Sequence, residues 1–119
     1  MTLARSVLLT IAMTGSLAGP LRAQDNSSAM VASGHKFAEA VCGACHVVQK
    51  EGNIPILDPP GPSFVALARR PDLTEQSLRD FLGSNHRGMG PANAMPNPRL
   101  ADYEIDEVVA YVLSLKVER

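Results

Sequence analysis

The sequence contains no tryptophan and only three phenylalanines and two tyrosines among its 119 residues. Because aromatic side chains supply much of the apolar bulk of a small domain, a core made of protein alone would be thin. Basic and acidic residues nearly balance, at 11 and 12, so nucleic acid is not an expected partner. No segment alternates apolar and polar residues over the length of a strand, and we therefore predict an all-α domain with no sheet.

The N-terminal segment has the three-part layout of a secretory signal peptide. A short basic start is followed by the largely apolar residues 7–18, and the small residue Ala23 precedes the polar Gln24. The apolar run is too short to cross a bilayer comfortably, although an uncleaved membrane anchor is the alternative. We predict a signal peptide over residues 1–23, export to the periplasm, and one mature domain over residues 24–119 with no stable membrane span.

Both cysteines of the chain lie in the run Cys42-Gly43-Ala44-Cys45-His46. Cys-x-x-Cys-His is the attachment motif of a covalently bound c-type haem. When such a run is helical, cysteines three residues apart project from one face, so that each thiol can add to one vinyl group of the haem. His46, next in the chain, can then bind the iron. The motif predicts one haem c held through thioethers by Cys42 and Cys45, with His46 as the proximal axial ligand.

Other uses of a Cys-x-x-Cys pair fit this sequence less well. A thioredoxin-like dithiol requires a surrounding βαβ pattern, which is not found here. A zinc site requires four ligands, and only His35 and His86 remain beyond the motif. A disulfide between Cys42 and Cys45 would close too small a loop to stabilise the fold much. The haem interpretation also agrees with Pro62 and with the methionines that precede the last helix, which are described below.

Apolar spacing and end signals predict about four short helices. The first covers residues 28–47 and carries both cysteines on its apolar side. Pro62 begins a short second helix that Pro71 ends, and Thr74 caps a third helix that Gly83 closes. Acidic residues occupy the first turns of the fourth helix, as its dipole favours. The apolar stripe of that last helix consists of Ile105, Val108, Val109, Val112 and Leu113.

Together these features resemble the class I cytochromes c, specifically the small bacterial periplasmic monohaem type, over essentially the whole mature chain. Gly34 stands eight residues before the first cysteine, Tyr111 lies in the last helix, and Pro62 belongs to a Gly-Pro-Ser-Phe run. The resemblance implies a cytochrome c fold in which the helices surround the haem and the first helix crosses the last at Gly34 and Tyr111. It also implies that the carbonyl of Pro62 accepts the Nδ1 proton of His46, which fixes the imidazole tautomer.

The family's distal ligand is a methionine in the loop before the last helix, and two methionines compete for this role. Met89 follows His86 at a spacing found in related proteins, but glycine follows it where proline is expected. Met95 is followed by Pro96, and its distance to Tyr111 matches the usual pattern. We favour Met95 as the distal axial ligand and keep Met89 as the alternative.

The resemblance implies a one-electron carrier rather than an enzyme. A Met/His pair raises the reduction potential, and a coordinated methionine blocks the position where a small ligand would bind. The carrier would be soluble or the small cytochrome subunit of a periplasmic redox system, exchanging electrons with redox partner proteins. The alternative is an open-site haem enzyme or gas sensor in which no methionine binds the iron. A third class, a thiol-disulfide oxidoreductase, would carry no haem.

Overall fold

The structure, a computed structural model, describes residues 21–49, 52, 54–84 and 95–116. Its helices are α1 (Leu21–Val41), α2 (Phe64–Ala68), α3 (Glu75–Gly83) and α4 (Asp102–Ser114). Within these ranges there is no strand, and β-type pairing is confined to an isolated bridge between His46 and Gly61. The prediction of an all-α domain with four helices is confirmed.

Helix α1 differs from its predicted range at both ends. It begins at Leu21, before the predicted cleavage point, and ends at Val41 rather than near residue 47. Beyond Val41 the backbone continues in turns, in which the Cys42 carbonyl accepts from the Cys45 and His46 amides. The next carbonyls bond a later segment, and the amides of Ile56 and Leu57 donate to the Ala44 carbonyl at 2.8 and 3.1 Å. These long-range bonds tie the turns after α1 to the loop before α2.

Helices α1 and α4 cross in close backbone contact at Gly34. A β-carbon at this position would lie 1.9 Å from the carbonyl oxygen of Glu107 and 3.0 Å from Cβ of Tyr111. No side chain larger than hydrogen fits there without moving one helix. The crossing at Gly34 and Tyr111 is present, as expected. The buried residues of α4 that line the core beside it are Ile105, Val108, Val109, Tyr111 and Val112.

The two short helices begin at side-chain caps. The hydroxyl of Ser63 accepts from the Ala66 amide at 3.1 Å at the start of α2. At the start of α3, Thr74 Oγ1 accepts from the Ser77 amide at 3.0 Å, and Ser77 Oγ accepts from the Thr74 amide at 2.9 Å. This reciprocal pair satisfies two amides that the helix leaves unpaired. Both starts agree with the capping signals of the sequence.

Helix α4 begins without a side-chain acceptor at its N-cap. Ala101 has the extended backbone of a cap residue, with φ −72° and ψ 157°, but its methyl group accepts no hydrogen bond. Glu104 Oε2 accepts from the Ala101 amide at 2.8 Å, which is one half of a capping box. Further along, Asp106 forms an ion pair with Arg79 of α3, and this pair joins the two helices.

Candidate functional site

The Cys-x-x-Cys-His motif occupies the turns that follow α1. The Cys42 carbonyl accepts from the amides of Cys45 and His46, at 3.1 and 2.9 Å, so the backbone stays curled through the motif. Cys42 is buried, Cys45 is half-buried, and neither forms a disulfide. Both thiols and the imidazole thus come from one compact turn at the edge of the core.

The protonation of Cys42 argues against a redox dithiol. Burial raises the pKa of the Cys42 thiol to about 11, and the neighbouring Cys45 adds to the shift. Dithiol oxidoreductases depend on a thiolate whose pKa lies below its usual value. In the chain without haem, burial of Cys42 therefore disfavours the thiolate that this chemistry requires.

The imidazole of His46 is oriented by the loop before α2. Its Nδ1 lies 2.8 Å from the carbonyl oxygen of Pro62. Since a carbonyl oxygen can only accept, Nδ1 carries the proton of the neutral ring, and Nε2 is the nitrogen with a lone pair suited to a metal. The ring is buried, and its centroid lies 5.8 Å from that of Phe64. The geometry of the Pro62 contact is the one that the resemblance implied.

Gly61 forms a close-fitting wall behind the same imidazole. A β-carbon on Gly61 would lie 2.6 Å from Cε1 and 2.8 Å from Nδ1 of His46. The Gly61 amide donates to the Cys45 carbonyl at 2.8 Å, which ties this loop directly to the motif. From the sequence alone, Gly61 has no assigned role beyond its place in the Gly-Pro-Ser-Phe run. Its position immediately before Pro62, whose carbonyl accepts from His46, is the signal that could have identified it.

A second set of contacts anchors the chain just after His46. The Tyr111 hydroxyl donates to the Val48 carbonyl at 3.0 Å, and the Tyr111 ring packs on His35 with centroids 4.7 Å apart. His35 Nε2 lies 3.0 Å from Oε1 of Gln49. From the sequence alone, His35 is expected to be exposed, because it follows Gly34 and lies off the apolar stripe of the first helix. Its side chain is 34% exposed and belongs to this network instead.

Of the candidates for the distal ligand, only Met95 lies among the described residues. Met95 is half-buried and packs against the hydrophobic core. Met89 and His86 lie outside the described residues. Four of the predicted site residues lie together in the structure: Cys42, Cys45, His46 and Pro62. Met95 packs against the hydrophobic core, of which Cys42 is also a member.

These residues fit a covalently attached haem. Two thiols that are not cross-linked lie in one turn with an imidazole of defined tautomer, and the Gly61 backbone lies close against that ring. A small helical domain with this arrangement is a c-type haem protein. No helix in the described part of the chain is long and apolar enough to span a membrane.

Comparison with known proteins gives the family. The sequence profile of the cytochrome c family matches residues 31–116. The chain is also 35% identical over 97 residues to cytochrome c-552 of Bradyrhizobium diazoefficiens, covering 79% of this chain and 86% of that protein. No solved structure matches it. The chain belongs to the cytochrome c family; its fold is the cytochrome c fold, its cofactor is one covalently bound haem c, and it is a haem-binding electron carrier.

Proposed function

We propose that the protein carries single electrons with His46 and Met95 as the axial ligands of a haem c attached to Cys42 and Cys45. One observation carries this assignment above all others. The 2.8 Å hydrogen bond from His46 Nδ1 to the Pro62 carbonyl places the proton on Nδ1, which would leave Nε2 to bind the iron. The packing of Met95 against the core supports it as the opposite ligand.

When bound, the haem supplies an iron centre that alternates between the ferric and ferrous states. The chain sets the properties of that centre. Pro62 holds the imidazole by its Nδ1 proton and so increases the basicity of Nε2. The thioether of Met95 is a soft, neutral donor that favours the ferrous state, and it raises the reduction potential relative to a second imidazole. The buried ring of Phe64 helps exclude water beside His46.

Substitution of each methionine tests the ligand assignment. In the ferric haem protein, Met95→Ala should abolish the far-red band that arises from charge transfer between methionine and iron, and it should lower the reduction potential. Met89→Ala serves as the matched control and should leave the spectrum nearly unchanged. Loss of the band in Met89→Ala and its retention in Met95→Ala would identify Met89 as the distal ligand.

The same spectra separate the carrier from the open-site alternative. If the unsubstituted ferric protein shows no such band and its ferrous form binds carbon monoxide readily, no methionine occupies the sixth position at rest. That outcome would favour an enzyme or gas sensor. A retained band together with slow carbon monoxide binding supports the carrier.

We further propose that the protein works in the periplasm after cleavage following Ala23, either as a soluble carrier or as the small cytochrome subunit of an oxidoreductase. Export of the unfolded chain suits covalent attachment outside the cytoplasm. The intact mass of protein secreted by a host that matures c-type cytochromes reports both events together. A mass that equals residues 24–119 plus one haem supports the proposal, and retention of residues 1–23 contradicts it.

An exposed apolar patch beside the motif suits contact with redox partners. It consists of Ile54, Ile56 and Leu57, and the first two are 91% and 88% exposed. The amides of Ile56 and Leu57 bond the Ala44 carbonyl, so the patch adjoins the haem attachment site. We propose that a redox partner docks here through an apolar face of its own.

A further inference from the structure

Within the described residues, the side chain of Asn97 attaches the segment that carries Met95 to the end of α3. Asn97 Nδ2 donates to the Ser84 carbonyl at 2.9 Å. Asn97 Oδ1 accepts from the Arg99 amide at 2.7 Å. The side-chain amide of Asn97, two residues after Met95, therefore bonds both the end of α3 and the segment that leads to α4.

Ser84, the residue to which Asn97 bonds, is held at the end of a packed helix. Ser84 follows the last residue of α3, and both its amide and its hydroxyl donate to the Phe81 carbonyl, at 3.2 and 2.9 Å. Leu82, two residues earlier, is buried. The Ser84 carbonyl is thus held by a helix end that is itself packed, and a bond to it restrains the segment of Met95.

On the other side of Asn97, toward α4, the backbone of Arg99 has an unusual conformation. Arg99 has φ +53°, in the left-handed region, where a residue with a β-carbon is strained. The bond from its amide to Asn97 Oδ1 stabilises this turn, and the chain then proceeds through Leu100, which packs on the core, toward α4. The turn fixes where Met95 lies relative to the start of α4.

We propose that Asn97 is a positioning residue that keeps Met95 on the iron. This inference rests on the proposed function, because it takes Met95 as the distal ligand. For the thioether to leave the iron, its segment must move away from the end of α3, and the bond between Asn97 and Ser84 opposes that movement. Asn97 thereby limits how often the sixth position opens to another ligand.

Binding of imidazole to the ferric haem protein measures this opening, because added imidazole must displace the methionine. Asn97→Ala should raise the apparent affinity for imidazole about fivefold, the effect of losing one net hydrogen bond of about 1 kcal/mol. It should also lower the reduction potential. Asn97→Asp keeps an acceptor for the Arg99 amide but places a carboxylate against the Ser84 carbonyl. Asn97→Asp should raise the affinity for imidazole at least as much as Asn97→Ala does. It also provides the test if the alanine variant does not mature.

Lys116→Met is the matched control, because Lys116 Nζ likewise joins two segments through a bond to the Leu73 carbonyl, at 2.5 Å. It should lower the thermal midpoint without changing imidazole affinity. Equal affinity gains in the control and in Asn97→Ala would overturn the inference, as would unchanged affinity in both Asn97 variants. If Met95→Ala instead retains the far-red band, the ligand assignment itself is wrong, and the inference falls with it.

Discussion

At Gly61 the missing side chain determines how the imidazole of His46 is held. The backbone of Gly61 lies against the ring, and the next residue, Pro62, supplies the carbonyl that orients it. The motif supplies the imidazole, but the loop that ends at Gly61 and Pro62 determines which ring nitrogen is available to bind the iron. The chemistry of His46 therefore depends on two residues that contribute only backbone.

We expect Gly61→Ala to destabilise the haem protein by about 1–3 kcal/mol, the usual effect of overpacking a buried site. The added methyl would press on Cε1 and Nδ1 of His46, so either the ring or the Pro62 carbonyl must shift. Denaturant unfolding monitored by haem absorption measures the change. Gly83→Ala is the control, since its nearest neighbour would be Ile105 Cδ1 at an ordinary 3.9 Å. Equal stability of both variants would contradict the predicted contact.

Individual residues differ in how far the sequence could identify them. The Cys-x-x-Cys-His motif indicates its chemistry by spacing alone, and Pro62 was found through the family resemblance. Asn97 and His35 were not found, because their partners, Ser84 and Tyr111, lie far away in the chain. No local pattern encodes a contact that forms only when separate helices pack.

At the scale of elements, short-range signals fixed most helix ends. Ser63 and Thr74 cap α2 and α3, where the sequence indicated helix starts. The end of α1 was not predicted in this way: the helix ends at Val41, and the apolar pattern that runs on to residue 47 continues in turns. These turns are held to a distant segment, since the amides of Ile56 and Leu57 bond the Ala44 carbonyl.

The crossing of α1 and α4 should be the packing contact least tolerant of added volume. Gly34→Ala places a methyl group 1.9 Å from the Glu107 carbonyl oxygen, and rigid backbone must move to accommodate it. We expect a loss of about 3 kcal/mol, at the upper end of the usual range for overpacking. Chemical denaturation checks the value, with the exposed neighbour Ser33→Ala as control. A loss below that of Gly61→Ala would show that the helices separate easily.

The start of α4 offers a gain in stability. Ala101→Ser would add a hydroxyl able to accept from the Glu104 amide and so complete the capping box that Glu104 half forms now. The expected stabilisation is about 0.5–1 kcal/mol, and thermal unfolding should show it as a higher midpoint. In a Glu104→Ala background the serine should gain less, because the reciprocal bond is gone. No gain in either background would show that the cap geometry is wrong.

At the scale of the whole molecule, charge gives little guidance to partners. The proposed cleavage after Ala23 would remove Arg5 and Arg22 and leave nine basic residues against twelve acidic ones, a formal balance of −3. Such a surface does not favour strong steering toward an acidic partner. The exposed patch of Ile54, Ile56 and Leu57 is the feature beside the motif that favours apolar contact.

Voltammetry at a gold electrode coated with a methyl-terminated monolayer tests this patch. We expect electron exchange that changes little with ionic strength, because apolar contact is not screened by salt. Ile56→Ser should reduce surface coverage about threefold to tenfold. Met30→Gln is the control, an exposed apolar residue about 16 Å along α1 from Val41. A steep fall of the current with added salt would count against apolar docking.

The contact between Gly34 and Glu107 joins the two extremities of the domain. A nascent chain emerges with its N-terminus first, so the partner for α1 is among the last segments to appear. Because the loop between them must close before the core gains this contact, this part of the core can form only after α4 has been synthesised. Until then Cys42 lacks the packing that buries it in the folded domain, and we expect haem attachment to precede the closing of this crossing.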